Sequence, residues 1–275
     1  MPEGPEIRRA ADRIEKQLTK GIIDDAWFAF DELKEYPPKL IGQQVERVET
    51  RGKAMLVRFS DQHVLYSHNQ LYGVWKCHMA DKEPATRRSL RARLVVNGRA
   101  ASLYSASDIS MWPADRLEEH PFLARLGPDL LSQSVGEEHI AQRLKEPPFY
   151  RRGLGGLLLD QGFVAGLGNY LRSEVLFFAG LSPRQRPCDL SEEERRRLAH
   201  YILALTRQAY RTAGVTNCPE WVDKAKSRGE SRRQWRFSVF EREGLPCHRC
   251  ATSIEKVNIA SRRLYFCSHC QSLSV

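Results

Sequence analysis

Near the start of the chain, apolar side chains recur at helical spacing in Ile7, Ala10, Ala11, Ile14 and Leu18, with acidic Glu3 and Glu6 placed where a helix begins. The pattern predicts an amphipathic helix directly behind the chain start. The period then changes to short β-rich runs: IIDDAWFAF, QQVERVET, KAMLVRFS, HVLYSH, LRARLVV and AASLYS. They are broken by PP, RGK, SDQ and NGR, which leaves no room for crossover helices, so strands joined by turns are expected. A β-sandwich or barrel should occupy roughly residues 20 to 110. From about residue 115 the spacing turns helical, and Ser191 with Glu194 forms a capping box ahead of Leu198, Ile202, Leu205 and Ala209. That region is expected to be a separate α-helical domain. Between Ala213 and Arg236 the sequence is polar and basic without a clear period, which reads as a mobile linker or loop.

Charge adds a partner class without selecting it. The formal net charge is +9, and the stretch from Lys224 onward holds 11 Lys and Arg against 4 Asp and Glu. A basic surface attracts polyanions by steering and counterion release, nucleic acid foremost, but a solvated charged surface has the same composition. No apolar run approaches membrane-spanning length, and MPEGPEIRRA has no apolar stretch behind its charges, so no signal peptide and a cytoplasmic location are expected.

Seven cysteines without an export signal argue against a disulfide framework. Four of them, Cys247, Cys250, Cys267 and Cys270, are spaced C-x2-C-x16-C-x2-C. Two such knuckles bring four thiolates around one zinc ion, and NIASRRLYF between them suits a hairpin whose tip points away from the metal. With four thiolates no position remains for a catalytic water, so the zinc is expected to be structural. His248 and His269, inside the knuckles, read as solvent-facing. No thioredoxin-like context supports a redox pair. Cys77, Cys188 and Cys218 are isolated and carry no assigned role.

The opening Met1-Pro2-Glu3-Gly4-Pro5-Glu6 is unusual for a helix leader. Once Met1 is removed, Pro2 would present a secondary amine at the positive end of the first helix, a setting that disfavours the ammonium form. Such an amine attacks a sugar carbon to give a charged iminium, an electron sink for elimination. A proline that simply starts a helix explains the same residues.

Taken together, PEGPEIRRAAD, TRGKA, YSHNQLYG, HPFLARLGPD, LLLDQGFVAGLGNYLRSE and the four-cysteine ribbon closely resemble the formamidopyrimidine-DNA glycosylase and endonuclease VIII family, on its endonuclease VIII side. The resemblance runs in order over nearly the whole chain. It implies an α+β, multi-domain fold: N-terminal helix plus β-sandwich, a helix-two-turn-helix α domain and a C-terminal zinc ribbon, with damaged double-stranded DNA as partner. Carried over position by position, it makes Pro2 the Schiff-base nucleophile and Glu3 the acid that assists sugar opening. Lys53 would act on sugar and phosphate during elimination, and Arg262 would promote the second elimination, with neighbouring Arg263 the competing assignment. Gln70, Leu71 and Tyr72 would fill the space left by a flipped nucleotide, although apolarity alone would place Leu71 and Tyr72 in the core. Arg125 and Asn169 would hold phosphates, the latter ahead of a helix whose N-terminal amides can also receive one.

The expected boundaries are a catalytic domain over 1–125, a helical domain over 126–214, a linker over 215–236 and the ribbon over 237–275. The expected activity is that of a monomeric bifunctional glycosylase and abasic-site lyase removing oxidised pyrimidines by β,δ-elimination, with one structural zinc and no other cofactor. The competing readings are an oxidised-purine glycosylase of the same family and a non-catalytic zinc-ribbon DNA-binding protein.

Overall fold

The structure is a computed structural model that describes residues 2–272. The chain divides into two compact units, one of Glu6–Arg125 together with Pro2, the other of Glu3–Pro5 and the residues from Leu126 on.

In the first unit, helix α1 (Gly4–Leu18) buries Ile7, Ala11, Ile14 and Leu18, the stripe that its spacing predicts. Eight strands follow: β1 (Ile23–Phe28), β2 (Val45–Arg51), β3 (Ala54–Phe59), β4 (His63–His68), β5 (Val74–Met79), β6 (Leu90–Val96), β7 (Arg99–Tyr104) and β8 (Asp108–Pro113). They form two antiparallel four-stranded sheets, in the orders β1-β6-β7-β5 and β2-β3-β4-β8. Ile23, Phe28, Leu94 and Leu103 of one sheet and Val48, Val57, Phe59 and Leu65 of the other share a core with α1, so the architecture is a sandwich. All six expected runs are strands. The two that pattern reading misses, β5 and β8, lie at sheet edges; each is half-solvated, and neither shows a clean alternation of buried and exposed positions.

In this topology the chain changes sheet twice near its chemistry-bearing loops. Between β4 and β5 it crosses through Asn69–Gly73, and between β7 and β8 it crosses back through residues 105–107.

The second unit is built around helix α3 (Asn169–Ala179), preceded by α2 (Glu137–Arg143) and followed by the long α4 (Glu192–Arg211), whose Ser191 and Glu194 form the expected capping box. Nine of the eleven residues of α3 are buried, because α4 and the ribbon hairpin pack against it, while α2 packs against α4. The hairpin pairs β9 (Glu255–Ile259) with β10 (Arg262–Phe266), and its Leu264 is buried in the helical core. The ribbon is therefore packed into the helical unit.

The 215–236 stretch does not form a structureless linker. Helix α5 (Pro219–Ser227) starts on a proline and buries Val222 and Ala225, and a further turn, Arg232–Trp235, follows. Its apolar face is only two residues wide, and the polar and basic residues around it conceal the period. Among the described residues no helix is long and apolar enough to cross a membrane.

Candidate functional site

Glu3 is the residue whose setting is most specific. It is 2% exposed, yet it is a carboxylate two residues from the chain start. Its Oε2 accepts a hydrogen bond from the amide of Gly168 at 2.7 Å and a longer one from Leu171 at 3.4 Å; Oε1 accepts from Tyr170 at 2.7 Å. These amides are the unpartnered donors at the start of α3, and a carboxylate there also meets the positive end of the helix dipole. Close packing makes the contact possible. A Cβ on Gly168 would stand 2.5 Å from the Glu3 carboxyl carbon, and one on Gly4 would stand 2.9 Å from the Gly166 Cα. The Gly4 amide donates to the Gly166 carbonyl at 2.8 Å, and Gly166 itself holds a φ of 104°, which glycine tolerates.

At the start of α3 the amides of Gly168, Tyr170 and Leu171 are thus taken by Glu3. Asn169, the first residue of the helix, turns its side chain inward: Nδ2 donates to the Arg263 carbonyl at 2.8 Å and Oδ1 accepts from Arg172 at 2.6 Å.

Pro2 directly precedes Glu3, is half-buried and lies outside the helix. Met1, whose removal the nucleophile reading requires, lies outside the described residues. Lys53 follows Gly52 in the tight turn between β2 and β3, where Gly52 has φ 60°. Its ammonium helps to hold the pKa of His68 down, although burial is the larger cause.

Leu71 and Tyr72 are 59% and 69% exposed, against their apolarity, and Gln70 beside them is exposed with φ 48°. They sit on the tip of the Asn69–Gly73 crossing, closed by the Gly73 amide donating to the Asn69 carbonyl at 2.7 Å. Arg125 ends a short turn, exposed, with Nε donating to the Pro121 carbonyl at 2.8 Å.

Arg262 stands at the tip of the ribbon hairpin, paired with Ile259 across Ala260 and Ser261, which both have positive φ (54° and 58°). Those are the angles of the tight turn whose twist fits a two-stranded ribbon, here without glycine. The tip is gripped from α3 by Arg172, a residue that pattern reading passes over. Its guanidinium is fully buried and donates to the carbonyls of Gly155 (2.7 Å), Ile259 (3.1 Å) and Arg263 (3.1 Å). Burial, and then the charge of Arg262, bring its pKa down to about 10.

Pattern reading also passes over Glu174. Fully buried, it accepts from Thr216 Oγ1 and from the amides of Ser238, Val239 and Phe240 at 2.8–2.9 Å, and so ties α3 to the segment entering the ribbon. Burial pushes its carboxyl pKa up against the pull of those bonds. An Arg-Ser-Glu triplet inside the otherwise apolar NYLRSEVLFFA is the signal for both residues.

The sulfurs of Cys247, Cys250, Cys267 and Cys270 all lie within 4.8 Å of one another, with Cys247–Cys270 at 3.9 Å and Cys250–Cys267 at 3.4 Å. A tetrahedral zinc with ~2.3 Å Zn–S bonds needs sulfurs about 3.8 Å apart, so the four fit the metal. His248 is exposed and stacked on Trp221 with centroids 4.8 Å apart, and His269 is exposed; neither joins the cluster.

Comparison with known proteins agrees in sequence and shape. Residues 1–107 match the formamidopyrimidine-DNA glycosylase N-terminal domain, 126–218 the H2TH domain of the same glycosylase, and 244–273 a zinc finger found in FPG and IleRS. Endonuclease 8 of Pectobacterium atrosepticum is 49% identical over 99% of this chain and all of its own, and that of Salmonella arizonae 48% identical over 98% and 100%. A solved Lactococcus lactis formamidopyrimidine-DNA glycosylase, non-covalently bound to abasic-site DNA, superposes with a TM-score of 0.81 at 20% identity, covering 98% of this chain and 100% of that one.

Proposed function

This chain belongs to the formamidopyrimidine-DNA glycosylase and endonuclease 8 family, and we propose that within it the enzyme excises oxidised pyrimidines of the thymine-glycol type through the amine of Pro2. It is a bifunctional DNA glycosylase and abasic-site lyase of base-excision repair, it acts on DNA, and it carries a structural zinc. The DNA is damaged duplex, and the enzyme works as a cytoplasmic monomer on the nucleoid.

The Pro2 nitrogen attacks the sugar carbon that bears the base, the base departs with the proton of the amine, and the bond from that carbon to the ring oxygen then breaks, the oxygen taking up a proton, so that an iminium remains on the opened sugar. Loss of the neighbouring sugar proton expels the 3′ phosphate, and a second elimination expels the 5′ phosphate. Lys53 and Arg262 bring positive charge to these phosphates, helped by Arg125. Gln70, Leu71 and Tyr72 occupy the vacated stack.

The observation that carries the reading is the anchored Glu3 carboxylate. Three amides hold it rigid beside Pro2, so a fixed negative charge faces the cation that forms there, and the same carboxyl exchanges a proton with the sugar oxygen. The wedge residues and a 48–49% identity to endonuclease 8 proteins favour the pyrimidine over the purine branch. Single-turnover cleavage of thymine-glycol and 8-oxoguanine duplexes tests the choice. Faster cleavage of thymine glycol is expected; a strong preference for the purine would overturn the substrate class and leave the chemistry intact.

A further inference from the structure

The side chains meant to enter DNA are held in place by a closed ring of hydrogen bonds through three loops. Leu71 and Tyr72 stand in solvent, where a free turn would fold them down or leave them mobile, and Gln70 keeps a positive φ that costs about 1 kcal/mol or more. Something must hold the turn. Arg88, at the end of the β5–β6 loop, donates through its guanidinium to the Tyr72 carbonyl. Its own backbone is fixed, since its amide donates to Thr86 Oγ1 at 3.2 Å and the next residue, Ser89, accepts from the Ser105 amide at 2.8 Å. Two residues on, Ser107 Oγ donates to Gln70 Oε1 at 3.0 Å, which returns the ring to the turn. Inside it, the Gln70 amide donates to His68 Nδ1 at 3.1 Å. The β4–β5 and β7–β8 crossings and the β5–β6 loop are thereby joined at one place.

We propose that Arg88 and Ser107 are positioning residues that keep the Gln70-Leu71-Tyr72 turn pre-formed for insertion into the duplex. They lower the cost of flipping a paired lesion, because the turn does not have to be ordered at that moment. Neither residue is required by the sugar chemistry. The inference rests on the wedge role proposed above for Leu71 and Tyr72.

Two measurements on the full-length zinc-loaded protein test it. Amide hydrogen exchange of the 68–74 segment reads the order of the turn, and it should be faster in Arg88→Ala and Ser107→Ala, and partly restored in Arg88→Lys. Single-turnover excision of thymine glycol from a duplex should fall roughly five- to tenfold in Arg88→Ala, the weight of one hydrogen bond, while cleavage of an abasic site in single-stranded DNA changes less than about twofold. Unchanged exchange in both variants would overturn the inference. So would an equal loss on the two DNAs accompanied by a shallower salt dependence, which would assign Arg88 to phosphate binding. Leu71→Ala separates the premise: if it excises the paired lesion at the wild-type rate, the wedge reading itself fails, whatever Arg88 does.

Discussion

Two turns of this protein hold residues in left-handed backbone next to candidate functional side chains, and each is gripped by an arginine that donates to main-chain carbonyl oxygen. At the Asn69–Gly73 crossing the arginine is Arg88, on the surface, with one carbonyl to hold. At the Ile259–Arg262 tip it is Arg172, fully buried, with carbonyls from two segments and an Nε that has no partner. The difference is one of depth. A surface clasp can be loosened at the cost of one solvated hydrogen bond, so it adjusts a rate. A buried guanidinium cannot be removed without stranding the carbonyls that it serves, so it maintains the fold.

The largest effect should therefore come from Arg172. Arg172→Met is expected to lower stability by roughly 3 kcal/mol or more, from lost hydrogen bonds and stranded carbonyls, visible as a shifted denaturant midpoint. A wild-type midpoint would mean that packing of Leu264 alone fixes the hairpin. Metal removal attacks the same turn from its other end. Chelation should release four thiols to a colorimetric reagent and weaken DNA binding, because the four cysteines anchor the strands that carry Arg262. Thiols released without any loss of binding would separate the ribbon from DNA recognition.

Much of this architecture is legible in the sequence. The α1 stripe, six of the strands, the capping box of α4 and the ribbon all follow from local periodicity or fixed spacing. The edge strands β5 and β8 are not, since a strand half in water loses the alternation that marks it. Nor is α5, whose two buried residues sit among cations. At the site, Pro2, Glu3 and Lys53 come from motif resemblance, but nothing in a one-dimensional pattern says that Glu3 caps a helix more than a hundred and sixty residues away. Apolarity alone places Leu71 and Tyr72 in a core, whereas they stand outside on a turn whose hydrogen bonds reach Arg88 and Ser107, far from it in sequence.

A smaller effect sharpens the surface side of the comparison. Burial lowers the pKa of His68, which accepts from the Gln70 amide, and of His120, whose ring lies tilted against Tyr66 with centroids 3.9 Å apart. Both rings are harder to protonate folded than unfolded, so the unfolded chain takes up more protons as pH falls. The stability they contribute is present above the unfolded value near ~6.5 and is lost below it. Melting temperature should drop between about pH 7.5 and 5.5, and less so in His120→Gln; equal drops in both proteins would remove His120 from the account.

The central claim is that the amine of Pro2, beside the anchored Glu3, forms a covalent intermediate with the sugar. Incubating the N-terminally processed enzyme with thymine-glycol duplex and sodium borohydride reduces any iminium to a stable link. A trapped protein–DNA complex is expected, lost in Pro2→Gly and when Met1 is retained. DNA bound without trapping, or trapping that survives both changes, would contradict it.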